Sequence, residues 1–362
     1  MGSSLRAYLL AFHAYAGSRG IFAGSSKESP VQRCTRQNFR RACSSCPIVI
    51  SMNRRHFASL VAGTVLHHGL QPALAFGASP PAPIKPFALG WVITPFGSPE
   101  EHFRAVHELG FSTCFLSLDQ YIGSFTPALA GQFRDLLAKY QLTATAVEVV
   151  GPGPLEWNFT RGPSTIGLVP PKTRAARIDA LRQASDFAKQ VGILQVQTHC
   201  GFIPEDPADP LYPVAVEAIR TVAKHCQGNG QAFLMETGQE TPITMLRAIR
   251  DVAMPNLGVG FDMANLVLYG KSNPVDAVDI LGPYVRNVHA KDGLWPTDPS
   301  QLGKEVLMGK GVVDFHAVFT KLHRRGYTGV LSIERETTGA QQIADVRQEK
   351  IFLDRVLREV LA

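Results

Sequence analysis

Cysteine is scarce and poorly placed for a framework. Three of the six, Cys34, Cys43 and Cys46, fall before Ala75, and Cys114, Cys200 and Cys226 are widely spaced. That odd remainder argues against both a disulfide scaffold and a cysteine metal site, and the C-S-S-C spacing of Cys43 and Cys46 is only a weak redox signal. No apolar run reaches the ~18 residues of a spanning helix, so the mature protein is expected to be soluble, with no membrane partner after processing. No G-x-G-x-x-G follows the first strand-like run, which removes the cue for a doubly wound dinucleotide-binding sheet. Acids are nearly missing from the start: up to Ala75, nine Lys/Arg stand against one Glu. The formal charge of +6 therefore belongs to that segment and the rest carries −2, so no nucleic-acid partner is expected.

That first segment has the layout of a leader. Asn53-Arg54-Arg55-His56-Phe57 precedes the apolar run Phe57–Leu66, and Ala73-Leu74-Ala75 offers a small-x-small cleavage site. Residues 52–78 resemble a twin-arginine export signal, which implies a periplasmic or otherwise exported protein. His67 and His68 shorten the apolar part, and an uncleaved amphipathic N-terminus is the alternative. Residues 1–51 are read as an upstream or unstructured leader, with Met52 as the true start, although their Arg/Ser richness also fits a transit peptide.

After the proline-rich linker at 79–86, apolar runs alternate with helix-period segments over residues 87–362. The runs Phe87–Ile93, Phe111–Leu118, Thr143–Val150, Ile193–Cys200, Ala232–Thr237, Leu257–Met263, Val285–Ala290 and Gly329–Glu334 predict eight strands. Helices are predicted over Glu100–Leu109, Gly131–Tyr140, Thr173–Val191, Pro213–Cys226, Pro242–Val252, Pro274–Leu281, Asp314–Arg325 and Gln341–Leu361, several opened by Pro. Eight β-α units in this length predict a (β/α)8 TIM barrel. The segment Gly151–Lys172, with Trp157 and Phe159, reads as a loop on the barrel mouth.

Chemistry in such a barrel sits at the C-terminal ends of the strands. There L-M-E-T-G supplies Glu236, V-G-F-D-M-A-N supplies Asp262, V-R-N-V-H-A-K-D supplies His289 and L-S-I-E-R-E supplies Glu334. A lone acid at a strand end is usually a helix cap, and a lone His a structural one. Four on consecutive strands are different: clustered like charges destabilise one another unless a cation compensates. Three carboxylates and an imidazole suit a divalent cation, Mn²⁺ first, with Mg²⁺, Co²⁺, Fe²⁺ or Zn²⁺ as alternatives.

These motifs, with M-G-K-G-V-V-D at Met308–Asp314 and G-Y-T-G-V-L-S-I-E-R-E at Gly326–Glu336, resemble the xylose isomerase-like barrel superfamily, in particular its sugar isomerase/epimerase branch. The resemblance implies that Glu236, Asp262, His289 and Glu334 bind the metal and that Glu236 and Glu334 are the acid/base pair. It further implies a metal-dependent isomerase or epimerase that moves a proton through an enediolate of a free sugar or keto-sugar. Many relatives place His three residues after the metal-binding Asp, where Asn265 stands here, and several place Arg where Trp295 stands. Losing both cations leaves phosphate recognition unsupported.

His199 and Asn265 are further candidates to bind a substrate hydroxyl. Glu148 and Lys291 are expected at the mouth, with Glu148 neutralising Lys291, and Asp292 either orients His289 or caps a turn. Trp157, Phe159 and Trp295 are candidates for stacking on a sugar face, or for lid packing. A dehydratase or lyase on a keto-inositol or 3-keto-sugar is the second reading. An apurinic-endonuclease-like hydrolase and a non-catalytic sugar-binding barrel follow, and homo-oligomerisation stays open.

Overall fold

A computed structural model of the chain describes residues 85–362; the expected leader, export signal and most of the proline-rich linker lie outside the described residues. The strands are β1 (Leu89–Ile93), β2 (Thr113–Ser117), β3 (Thr143–Glu148), β4 (Gln195–Thr198), β5 (Ala232–Glu236), β6 (Leu257–Asp262), β7 (Val285–Ala290), β8 (Asp292–Leu294), β9 (Lys304–Val306) and β10 (Leu331–Ile333). Strands β1 to β7 and β10 pair in parallel and close on themselves, so the fold is a (β/α)8 barrel. The helices are α1 (Pro99–Glu108), α2 (Pro127–Lys139), α3 (Gly162–Thr165), α4 (Arg174–Val191), α5 (Leu211–Gly228), α6 (Pro242–Val252), α7 (Met263–Leu268), α8 (Pro274–Leu281), α9 (Phe315–Arg324) and α10 (Gly339–Val360). Among the described residues, no helix is long and apolar enough to cross a membrane.

Local chemistry fixes the helix starts. Pro opens α1, α2, α6 and α8, where its missing N–H has no helical partner to lose. Thr126 Oγ1 accepts from Leu129 N (3.2 Å), so α2 begins four residues before the expected Gly131. Every residue of β6 is buried, as a barrel strand covered by side chains within and helices without requires.

Three elements were not expected. Helix α7 follows β6 without a loop, because Asp262 Oδ1 accepts from Asn265 N (2.7 Å) and caps it. Its sequence M-A-N-L-V-L has no polar break to separate it from the strand. The antiparallel ribbon β8–β9 projects after β7 and is tied down by Asp292. Oδ1 of Asp292 accepts from Gly293 N (2.8 Å) and Val313 N (3.1 Å), and Oδ2 accepts from Gly309 N (2.9 Å) and Gly311 N (2.8 Å). A Cβ at Gly311 would lie 2.1 Å from Oδ1, which explains the glycine in M-G-K-G-V-V-D. Asp292 therefore gathers a turn and makes none of its hydrogen bonds to His289. Helix α3 interrupts the mouth loop at 151–172, which is packed by the fully buried Arg177 of α4. The Arg177 guanidinium donates to Pro152 O (3.2 Å), Gly167 O (2.8 Å) and Pro154 O (3.1 Å).

Candidate metal centre and active site

Strand register sets the functional side chains in one row at the mouth. Glu148 pairs with Gln197, Glu236 with Gly260, and Asp262 with His289. Glu334 follows β10 directly, its N–H donating to Ala290 O (3.0 Å). One donor atom from each of Glu236, Asp262, His289 and Glu334 lies within 4.8 Å of the others. Nδ1 of His289 is 3.0 Å from Glu334 Oε2 and 3.5 Å from Glu236 Oε1. The imidazole stands edge-on to Phe115, with ring centroids 4.6 Å apart.

Lys291 lies among these acids. Its buried ammonium sits 3.0 Å from Asp262 Oδ2, 3.1 Å from Glu334 Oε2 and 3.0 Å from Glu336 Oε1. The expected pairing with Glu148 is not the one formed: the chain beyond β7 turns Lys291 toward β6 and β10. Glu148 instead faces His199, with Oε1 4.0 Å from Nε2.

The charges shape one another. Burial pushes the Glu236 carboxyl up, but His199 and His289 outweigh it and hold the group down at about 2. Burial acts likewise on Glu334, and Lys291 and His289 hold it well below the carboxylate range. Asp262 stays well above that range because burial outweighs Lys291. Burial and then Glu236 push Glu148 up. Burial would lower His289 and Lys291, but surrounding carboxylates, Glu334 foremost for His289 and Asp262 for Lys291, raise both.

Sequence reasoning missed Gln197. From β4 it crosses the barrel floor, donates from Nε2 to Glu236 Oε2 (2.9 Å), and brings its amide to 3.4 Å from His289 Nε2. The signal was indirect: a Cβ at Gly260 would lie 2.0 Å from Gln197 Oε1, so the glycine of V-G-F-D clears the amide's path. Asn265 donates from Nδ2 to the other oxygen, Glu236 Oε1 (3.1 Å). Gln239, also missed, places its amide against His199 Nδ1, with Nε2 at 3.0 Å and Oε1 at 3.3 Å.

Above this floor opens a cavity of about 550 Å³ whose walls include Glu148, Trp157, His199, Asn265, Lys291 and Glu334. The Trp157 ring meets His199 at 5.0 Å between centroids. Trp295 is 42 % exposed on the ribbon and does not line the cavity, and neither does Phe159. The stacking role expected of those two rings is thus left to Trp157. The mouth loops after β3 and β4 touch backbone to backbone: Leu168 N donates to Cys200 O (2.8 Å), and a Cβ at Gly167 would lie 2.2 Å from the Cys200 carbonyl carbon.

The four clustered residues can hold a divalent metal ion. Three carboxylates and one imidazole, which gives up its proton on binding, make a donor set for a hard-to-borderline cation. A family model described as xylose isomerase-like TIM barrel matches residues 103–356. The chain belongs to this family. A crystal structure of a xylose isomerase domain protein from Planctomyces limnophilus is 32% identical, covers 77% of this chain and 99% of its own, and superposes with a TM-score of 0.71. A xylose isomerase-like TIM barrel protein from Mycobacterium smegmatis, in complex with magnesium, is 20% identical (77% and 98% covered, TM-score 0.57). A D-tagatose 3-epimerase-like protein is likewise 20% identical (76% and 98% covered, TM-score 0.60). Further neighbours of this family include other sugar epimerases and a probable dehydratase, at identities where likeness shows fold alone. The curated relatives are uncharacterized proteins, and the chain spans 58% and 33% of their lengths.

Proposed function

We propose that this xylose isomerase-like barrel is a divalent-metal-dependent isomerase or epimerase of an unphosphorylated sugar or keto-sugar, with Mn²⁺ as the preferred ion. The observation that carries the reading is the convergence of Glu236, Asp262, His289 and Glu334 at the C-terminal mouth of the barrel. A cation held by these four supplies Lewis acidity toward a carbonyl and stabilises negative charge developing beside it. Raising a C–H acidity in this way leaves the proton itself to be carried by the protein. Glu236 and Glu334 are suited to carry it. They stand on β5 and just past β10, separated around the rim by β6 and β7, and the clusters around them hold both ionised. Asn265 and Gln197 fix the two oxygens of Glu236. Trp157 and His199 offer an apolar face and a polar edge to a ring bearing hydroxyls. The cavity's single lysine is already engaged by three carboxylates, which disfavours a phosphorylated substrate.

The test is a screen of free ketoses and keto-glycosides in D₂O with Mn²⁺, read as deuterium entering beside the carbonyl. Glu236→Gln and Glu334→Gln are each expected to abolish incorporation, and full exchange by either variant refutes the assignment. A product short of one water would replace the reading with elimination, the dehydratase alternative.

A further inference from the structure

We infer that Tyr269 is a substrate-binding residue whose phenol, held by Gln239, donates a hydrogen bond to a sugar hydroxyl in the mouth cavity. The inference rests on the reading of that cavity as a sugar site. Tyr269 lines the cavity together with Trp157, His199 and Asn265, and it is 4% exposed. Among the described residues its hydroxyl has one hydrogen-bond partner, Gln239 Nε2 at 3.0 Å.

The direction of that bond decides what the hydroxyl can still do, and the chain from Glu236 fixes it. Oε2 of Glu236 lies 3.3 Å from His199 Nε2. An ionised carboxylate only accepts, so the neutral ring carries its proton on Nε2 and offers a lone pair at Nδ1. Gln239 Nε2 stands 3.0 Å from Nδ1 and 3.0 Å from the Tyr269 oxygen, so one N–H answers each. Reversing the amide would set its oxygen against the Nδ1 lone pair. The Tyr269 oxygen is therefore an acceptor in this chain, and its own proton is unspent. Burial pushes the phenol up, so the proton stays in place at neutral pH. A buried donor without an acceptor is costly, and a substrate oxygen removes that cost. Asp262 opens α7 and Tyr269 closes it, so the phenol reaches an oxygen other than the carbonyl directed at the metal ligands.

The test is calorimetry on full-length protein loaded with Mn²⁺, with the free ketoses of the exchange screen as ligands. Tyr269→Phe keeps the ring's edge-on contact with Phe202, 5.8 Å between centroids, so the fold is retained. The variant is expected to bind the best ketose about tenfold more weakly. Among monodeoxy analogues of that ketose, one is expected to lose the same factor with the wild type and to bind wild type and variant alike. Unchanged affinity in Tyr269→Phe overturns the inference. A loss that persists with every analogue also overturns it, because the effect is then structural. Binding without deuterium exchange refutes the isomerase reading alone, and the variant still decides the role of Tyr269. If no ketose binds the wild type, both fall.

Discussion

Gly260→Ala tests the floor of the site with one methyl group. The backbone there tolerates a side chain, but the new Cβ would lie 2.0 Å from Gln197 Oε1 and 2.4 Å from its Cδ. The amide must leave, and with it the hydrogen bond to Glu236 Oε2 at 2.9 Å. Losing a buried bond to a charged acceptor costs about 1.5–3 kcal/mol, and forcing a methyl into a packed barrel costs about 1–3 kcal/mol. Gly260→Ala should therefore destabilise the fold by about 3–5 kcal/mol, and Gln197→Ala by about 2–3 kcal/mol. In the double variant the three nearest atoms the methyl would meet are gone with the amide, so its cost should approach that of Gln197→Ala alone. The coupling is then nearly the whole Gly260→Ala effect, about 3–5 kcal/mol. Urea unfolding in chelator, followed by the fluorescence of the buried Trp91, measures it. Costs that add to within about 0.5 kcal/mol would refute the arrangement.

Removing the Arg177 side chain should free the mouth loop, lower stability by on the order of 3–5 kcal/mol and open protease sites within 151–172; unchanged digestion would count against it. Burial pushes the Glu349 carboxyl up to about 8 from its ordinary 4.5, so the folded state keeps a proton that the unfolded chain releases. Stability then falls as pH rises from about 4.5 to 8, and Glu349→Gln should raise the melting temperature at pH 8.5 but hardly at pH 4.5. An equal gain at both values would dismiss the charge as its cause. Lys291→Met should destabilise the metal-free protein by about 3–5 kcal/mol, because the buried Glu334 carboxylate loses its resident cation. Mn²⁺ should stabilise that variant by a larger margin than the wild type, as melting curves with and without the ion would show; equal margins would reject the idea.

Residues that break the pattern of their own strand were legible, and residues that answer a neighbour across the barrel were not. Glu236, Asp262, His289 and Glu334 each end an apolar run, so their shared rim followed once the strand count suggested a barrel. Gln197 sits in Q-V-Q-T, where alternating polar residues on a short strand read as surface. Only the opposing Gly260 gives it away, and nothing in one sequence pairs the two. The partner of Lys291 was misread for the same reason: reach across β6, β7 and β10 depends on twist and register, which local patterns leave open. The ribbon β8–β9 went unread because three-residue strands carry no periodicity, although Asp292 and the M-G-K-G glycines that hold it were visible.

The contact between Gly167 and Gly201 bears on kinetics. These two backbones meet beside His199, with no side chain between them to compress or swing aside, and Arg177 braces the loop from behind. Close backbone packing at Gly167 and the Arg177 hydrogen bonds brace both ends of the segment that carries Trp157, which favours a fixed aperture over a hinged door. Small ligands should enter by simple diffusion, with an observed association rate that climbs linearly with concentration and shows no plateau from a closing step.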